Sequence, residues 1–156
     1  MRWSPSFLIE SDPWERMGRW ATLLLLVALT GSCTLKASRS GIPPEVDALI
    51  STVTDDIDNG RYDKIYNEAA EEWRRDATPE QSQQTFETLK TKLGKVGSRS
   101  LHSATEGHSS GLGHSFEVIY ETRFERGEGM ESFTLIEQNG HWRLARYFVN
   151  STRLKY

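Results

Sequence analysis

Residues 130–149 read MESFTLIEQNGHWRLARYFV, two runs of alternating apolar and polar residues joined by Asn139-Gly140. Asn-Gly between such runs is a strong hairpin signal, because both turn residues must accept positive φ. A two-residue loop at that point sets a register in which Gln138 faces His141, Glu137 faces Trp142, Leu135 faces Leu144 and Phe133 faces Arg146. Phe133, Leu135, Trp142, Leu144 and Phe148 then share one face by the two-residue period of a strand, and a face that apolar needs a cover.

Upstream, His114 to Glu125 alternates in the same way. His114, Phe116, Val118, Tyr120, Thr122 and Phe124 lie on one side, and Ser115, Glu117, Ile119, Glu121, Arg123 and Glu125 on the other. One face is expected to be packed and the other wet, with charges that discourage edge pairing. Arg126-Gly127-Glu128-Gly129 is the expected turn into the hairpin. Ser98 to Ala104 (SRSLHSA) reads as a weaker first strand, and Thr105 to Gly113 (TEGHSSGLG) as a loop from its Gly and Ser content.

The cover comes from the residues before the strands. After Pro43-Pro44, Val46, Leu49, Ile50, Val53 and Ile57 repeat at helical spacing, and Asn59-Gly60 supplies a C-terminal stop. A second helix is expected from Arg61, with Tyr62, Ile65, Tyr66, Ala69, Ala70 and Trp73 on one side and charges on the other. Aromatic residues on a helix facing a sheet are usually core with a hydrogen-bonded polar tip, which is the reading for Trp73. Thr78-Pro79-Glu80-Gln81 combines an N-cap, Pro at N1 and Gln at N3, a capping box that opens a third helix ending at Gly94. Three helices followed by an antiparallel meander of four strands is an α+β pattern.

A chain of 156 residues has room for one such domain. Its net charge of −3 and the lack of a basic stripe point away from nucleic acid. Ahead of the domain, Ala21 to Thr30 (ATLLLLVALT) is uncharged but too short to span a bilayer, which needs about 20 apolar residues. With Arg16 and Arg19 before it and small residues after it, it fits the core of a signal peptide. Residues 1–16 are acidic for a signal start, so translation from Met17 is expected. Leu29-Thr30-Gly31-Ser32-Cys33 resembles the lipobox of bacterial lipoproteins, although Leu stands one place further from the cysteine than is commonest. The resemblance implies a signal peptide over 1–32 and lipidation at Cys33, and the chain beyond reads as a polar tether over 33–44, a domain over 45–150 and a tail over 151–156. Two or three acyl chains would hold the protein stably on a membrane, at about 0.8 kcal/mol per buried CH₂. Thr34 after the cysteine is compatible with the outer membrane of a Gram-negative envelope.

The set GRYDKIYNEAAEEWR, TPEQSQQTFETLKTKLGKVGSRSLHSA, FEVIYETRFE and ESFTLIEQNGHWRLARYFV is similar to a family of small exported bacterial proteins known as domain of unknown function 4019. The resemblance covers nearly all of the domain, and its motifs are packing motifs. It implies a cystatin-like, nuclear transport factor 2-like cone, with three N-terminal helices packed on a curved four-stranded antiparallel sheet. Arg146 stands where relatives often have Gly, and a bulge there would turn it outward.

Enzymes on the cone fold place acids, His or Tyr in the cavity between helices and sheet. Strand parity offers His114, Tyr120, Thr122 and Arg146 as lining here, and the second helix offers Tyr62 and Tyr66. Glu117, Glu121, Glu125 and Glu131 are expected to have the wrong parity or to lie at strand ends, which leaves no inward acid or base for proton transfer. No catalytic residue and no cofactor is assigned. His102, His108, His114 and His141 lack the spacing that fixes a metal. The expectation is a non-catalytic binding or interaction module, bound to the membrane through its lipid and meeting an envelope protein or a second copy of itself. The alternatives are a small-molecule-binding or catalytic cone using that cavity, and a secreted dimeric structural domain.

Overall fold

The computed structural model describes residues 41–109 and 111–155. They all fall within the compact unit Ser38–Tyr156. The signal segment, Cys33 and the tether as far as Ser40 lie outside the described residues, whereas the expected end of the tether belongs to the domain, with Ile42 buried in the core and Pro44 opening the first helix. No helix among the described residues is long and apolar enough to cross a membrane.

The domain is α+β. Helix α1 (Pro44–Asp58) starts with Pro at its first turn, buries Val46, Ile50, Val53 and Ile57, and stops where Gly60 takes φ of 72°. The expected second helix is two, α2 (Tyr62–Glu68) and α3 (Glu71–Asp76). Between them Ala69 and Ala70 are extended, with ψ of 163° and 160°. Helix α4 (Pro79–Leu93) opens with the predicted capping box, Thr78 and Gln81 each satisfying the other's backbone N–H, and buries Phe86 and Leu93.

The helices pack on one antiparallel sheet in the order β1 (Val96–Ser109), β2 (Gly113–Phe124), β3 (Gly127–Gln138) and β4 (His141–Asn150). The turn residues Asn139 and Gly140 have φ of 54° and 76°, the left-handed pair that the sequence demanded. β2 alternates as expected, with Phe116, Val118, Tyr120, Thr122 and Phe124 buried toward the helices. The expected loop Thr105–Gly113 is mostly strand. Thr105 pairs with Glu117 and Gly107 with Ser115, so cross-strand hydrogen bonding overrides a Gly- and Ser-rich composition.

The two inner strands are regular and both edge strands are bulged. Gly97 and His102 are extra residues on β1, and Ala145 is extra on β4. The bulge at Ala145 corrects the predicted hairpin register beyond Leu144. Phe133 faces Tyr147 rather than Arg146, and Thr134 faces Arg146. Tyr147 therefore enters the core, while Arg146 and Phe148 point out, Phe148 at 65% exposure. The break in the helices and the bulge meet: the Ala70 N–H donates to the Leu144 carbonyl at 2.9 Å, and the Arg143 guanidinium donates to the carbonyl of Glu68 at 3.1 Å. Ala70, Ala145 and Ile136 form a small buried cluster at that junction.

The main core joins α1, α2 and α4 to β2, β3 and β4. Phe86 lies stacked between Tyr62 and Trp73, with ring centroids 5.9 and 5.6 Å away. The Trp73 indole N–H donates to Ser82 Oγ at 3.0 Å, the hydrogen-bonded polar tip expected of it. Packing continues past β4. Ser151 is buried and donates to the Glu128 carbonyl at 2.6 Å, and Leu154 joins Leu93, Phe124 and Val149.

Candidate functional site

Between helices and sheet the structure places an acid that strand reading missed. Glu131 is the fifth residue of β3 and has no exposed surface. It shares the inward parity of Phe133 and Leu135, and it was misplaced because Gly127 and Gly129 read as a turn. Those glycines belong to the strand, where Gly129 lets Asn150 and Ser151 come close: a Cβ there would stand 2.8 Å from the Asn150 carbonyl oxygen.

Four donors converge on Glu131. Arg99 of β1 gives a bidentate pair, Nε to Oε2 and Nη2 to Oε1, both at 2.6 Å. Thr122 Oγ1 donates to Oε2 at 2.8 Å and the Tyr147 hydroxyl to Oε1 at 2.7 Å. A carboxylate offers about four acceptor positions, and all are occupied. The arginine is held in turn. Its Nη1 donates to Thr54 Oγ1 at 2.7 Å, and its guanidinium lies 5.5 and 5.3 Å from the ring centroids of Tyr120 and Phe133. Burial first, and then the neighbouring Glu131 charge, hold the Tyr147 hydroxyl well above its usual range. Burial also raises Tyr120, and it raises Asp58 at the rim against the opposing pull of Lys95, Arg99 and Lys90. The void bordered by Thr54, Asp58, Arg99, Glu131 and Tyr147 is about 20 Å³. That is room for about one water molecule.

The residues expected to line a common cavity are dispersed. Tyr120 and Thr122 do reach the Glu131 cluster, one through the guanidinium and the other by a hydrogen bond. Tyr62 is core against Phe86. Tyr66 is half-buried in an open surface hollow with Arg74 and Thr78. Arg146 is on the outer face, a correction that follows from the bulge.

His114 is inward but lies at the other end of β2, roughly 26 Å from Thr122 at about 3.3 Å per residue. Its Nδ1 is 2.7 Å from Glu137 Oε2 on β3 and its Nε2 is 2.7 Å from Glu106 Oε1 on β1. His108 stacks on the ring at 4.4 Å and Trp142 meets it edge-on at 4.8 Å. The Glu137 and Glu106 carboxylates raise the His114 pKa above its ordinary value. Among the described residues no group of three or more His, Cys, Asp or Glu could hold a metal ion.

The outer face carries an open groove of about 790 Å³ floored by Ser100, Glu121, Arg123, Met130 and Asn150. Arg123 pairs with Glu128 at 3.2 Å along it. A second open groove, about 450 Å³, runs between α4 and β4 beside Phe148, Leu89 and Leu154.

A helical layer on one face of a four-stranded meander, closed inside by a buried Arg–Glu pair, defines a small α+β domain with its accessible features on the outside. Residues 51–147 match a family described as a protein of unknown function, DUF4019, and the chain belongs to that family. No curated protein sequence matches the chain. Among solved structures it is similar to a crystal structure from Novosphingobium aromaticivorans DSM 12444, provisionally named a scytalone dehydratase. Identity is 13%, the match covers 69% of this chain and 82% of that one, and the TM-score is 0.43.

Proposed function

We propose that this chain is a lipid-anchored protein of the bacterial cell envelope, whose cystatin-like cone is a non-catalytic binding or interaction module. The observation that carries the second half is the state of Glu131. It is a fully buried carboxylate on the inner face of the sheet, yet its four acceptor positions are filled by Arg99, Thr122 and Tyr147. The adjoining void of about 20 Å³ is far below the roughly 300 Å³ at which small-molecule pockets begin. Recognition is then left to the outside of the domain, where the grooves and Phe148 lie. The first half rests on the apolar run before Cys33 and its lipobox-like sequence.

The test is intact-mass analysis of the membrane fraction from cells carrying wild type or Cys33→Ala. Acyl mass on Cys33, lost in the variant together with membrane attachment, is the expected result. A soluble, unacylated product cut near Ser32 would overturn the anchor. Turnover of any substrate that is lost on Tyr120→Phe or His114→Ala would overturn the non-catalytic reading. A secreted domain that self-associates is the second reading, favoured by the 65% exposure of Phe148 on the outer face. A monomer mass at micromolar concentration would exclude it.

A further inference from the structure

We propose that His114 is a protonation-controlled clasp that fastens the distal half of β1 to the sheet and lets it go when the ring loses its proton. The inference is independent of the anchor and of the compartment. The geometry carries it. Both ring nitrogens stand 2.7 Å from a carboxylate oxygen, Glu137 on one side and Glu106 on the other. A carboxylate only accepts, so both contacts are made as hydrogen bonds only when both ring nitrogens bear protons, and that is the imidazolium. The two acids sit on the strands flanking β2, so one cationic ring joins three strands.

A neutral imidazole has one N–H and one lone pair. It can keep one carboxylate, and its lone pair then faces the other at 2.7 Å, which is repulsive. The side chain of Glu137 is 39% exposed and belongs to an inner strand, whereas that of Glu106 is 57% exposed and belongs to an edge strand. Glu106 is therefore the one released. The other groups around the ring do not replace it. His108 of β1 stacks on its face, Trp142 of β4 meets it edge-on, and His141, the titratable neighbour on β4, is exposed and of opposite strand parity to Trp142. Beyond the clasp, the segment keeps its backbone pairing with His114–Glu117 and the Ser115 hydroxyl's bond to the Gly107 carbonyl at 3.2 Å, so release loosens this end of the edge strand, and no salt bridge among the described residues ties Thr105 to His108 except Glu106–His114.

The sign follows from the raised folded value. The clasp's contribution is fully present below the unfolded histidine value of about 6.5, and is lost as pH rises through the higher folded value. Release leaves Glu106 free in solvent, so the hairpin end of the inner face changes its charge with pH.

The experiment is histidine-ring NMR together with amide hydrogen exchange on the full chain across the titration, corrected for intrinsic base catalysis. Expected is a His114 ring that titrates above the ordinary histidine value with both nitrogens protonated below it. Protection of amides 105–108 should fall several-fold in step with that titration, while amides 132–135 of β3 hold theirs. In Glu106→Gln the amide can donate to the neutral ring, so the pH step in protection disappears, and in His114→Gln there is nothing to titrate and no step. A His114 that titrates at or below the ordinary value overturns the clasp. So does a step in protection that survives in either variant.

Discussion

At the scale of the residue, Glu131 and Arg99 form a buried, bidentate ion pair. Taking both charges out of water is costly, and their bidentate contact with two hydroxyl donors offsets that cost without leaving a large surplus. The expected behaviour is asymmetric. Arg99→Met alone should destabilise by about 3–5 kcal/mol, because it leaves an acid with no exposed surface facing only hydroxyl donors. Glu131→Leu alone should cost a similar amount. The double variant should be far less destabilised than the sum, and chemical denaturation of all four proteins in one cycle checks it. Additive losses would mean that the two side chains do not meet in solution. Sequence placed Tyr120 and Thr122 on the inner face because β2 alternates over its whole length. Arg99 escaped it because SRSLHSA has little apolar alternation, and Glu131 because two glycines imitate a turn. The legible signal was parity: Glu131, Phe133 and Leu135 are two apart, and Arg99 stands opposite Thr122 once β1 and β2 are paired.

At the scale of the element, the strong local signals held. The Asn139-Gly140 turn, the capping box at Thr78 and the stop at Gly60 each depend on chemistry within a few residues, which is why a sequence can display them. What could not be seen was the pairing of distant pieces. Ala69-Ala70 is good helical sequence by propensity, yet the helix opens there so that Ala70 can reach the Leu144 carbonyl. The small side chain is what allows that approach, since Ala70 is fully buried beside Ile136 and Ala145. Ala70→Leu should therefore overpack the junction and lower stability by about 1–3 kcal/mol in urea unfolding. A neutral effect would mean that this segment does not dock against β4.

At the scale of the whole described unit, the sheet has a closed end and a charged end. Around Glu131 the inner face is sealed by α1, α4 and β1, while around His114 it carries Glu106, His108 and Glu137. The bulges sit on the two edge strands, where they add twist and spoil flat pairing with another chain. Phe148 on β4 is the large aromatic side chain left outside, at 65% exposure. It stands beside the open groove of about 450 Å³ between α4 and β4, the surface on which the proposed interaction module would be tested. Size, class and strand count were legible because three helical stripes and the alternating runs leave few ways to bury them. The outward turn of Phe148 was not, because a single extra residue decides it.

That extra residue makes β4 a matter of counting as well as of chemistry. Removing Ala145 from the gene would leave every other side chain in place and shorten the strand by one. Pairing would then run without interruption from the Asn-Gly turn, with Arg146 still opposite Thr134 and Tyr147 still opposite Phe133 beside Glu131. One deleted codon would thus remove the bulge and its packing on Ala70 and Ile136 while leaving the ring and the acid in register. Such a deletion should leave soluble, protease-resistant protein of lower stability, and loss of folded protein would mean that the bulge itself is required.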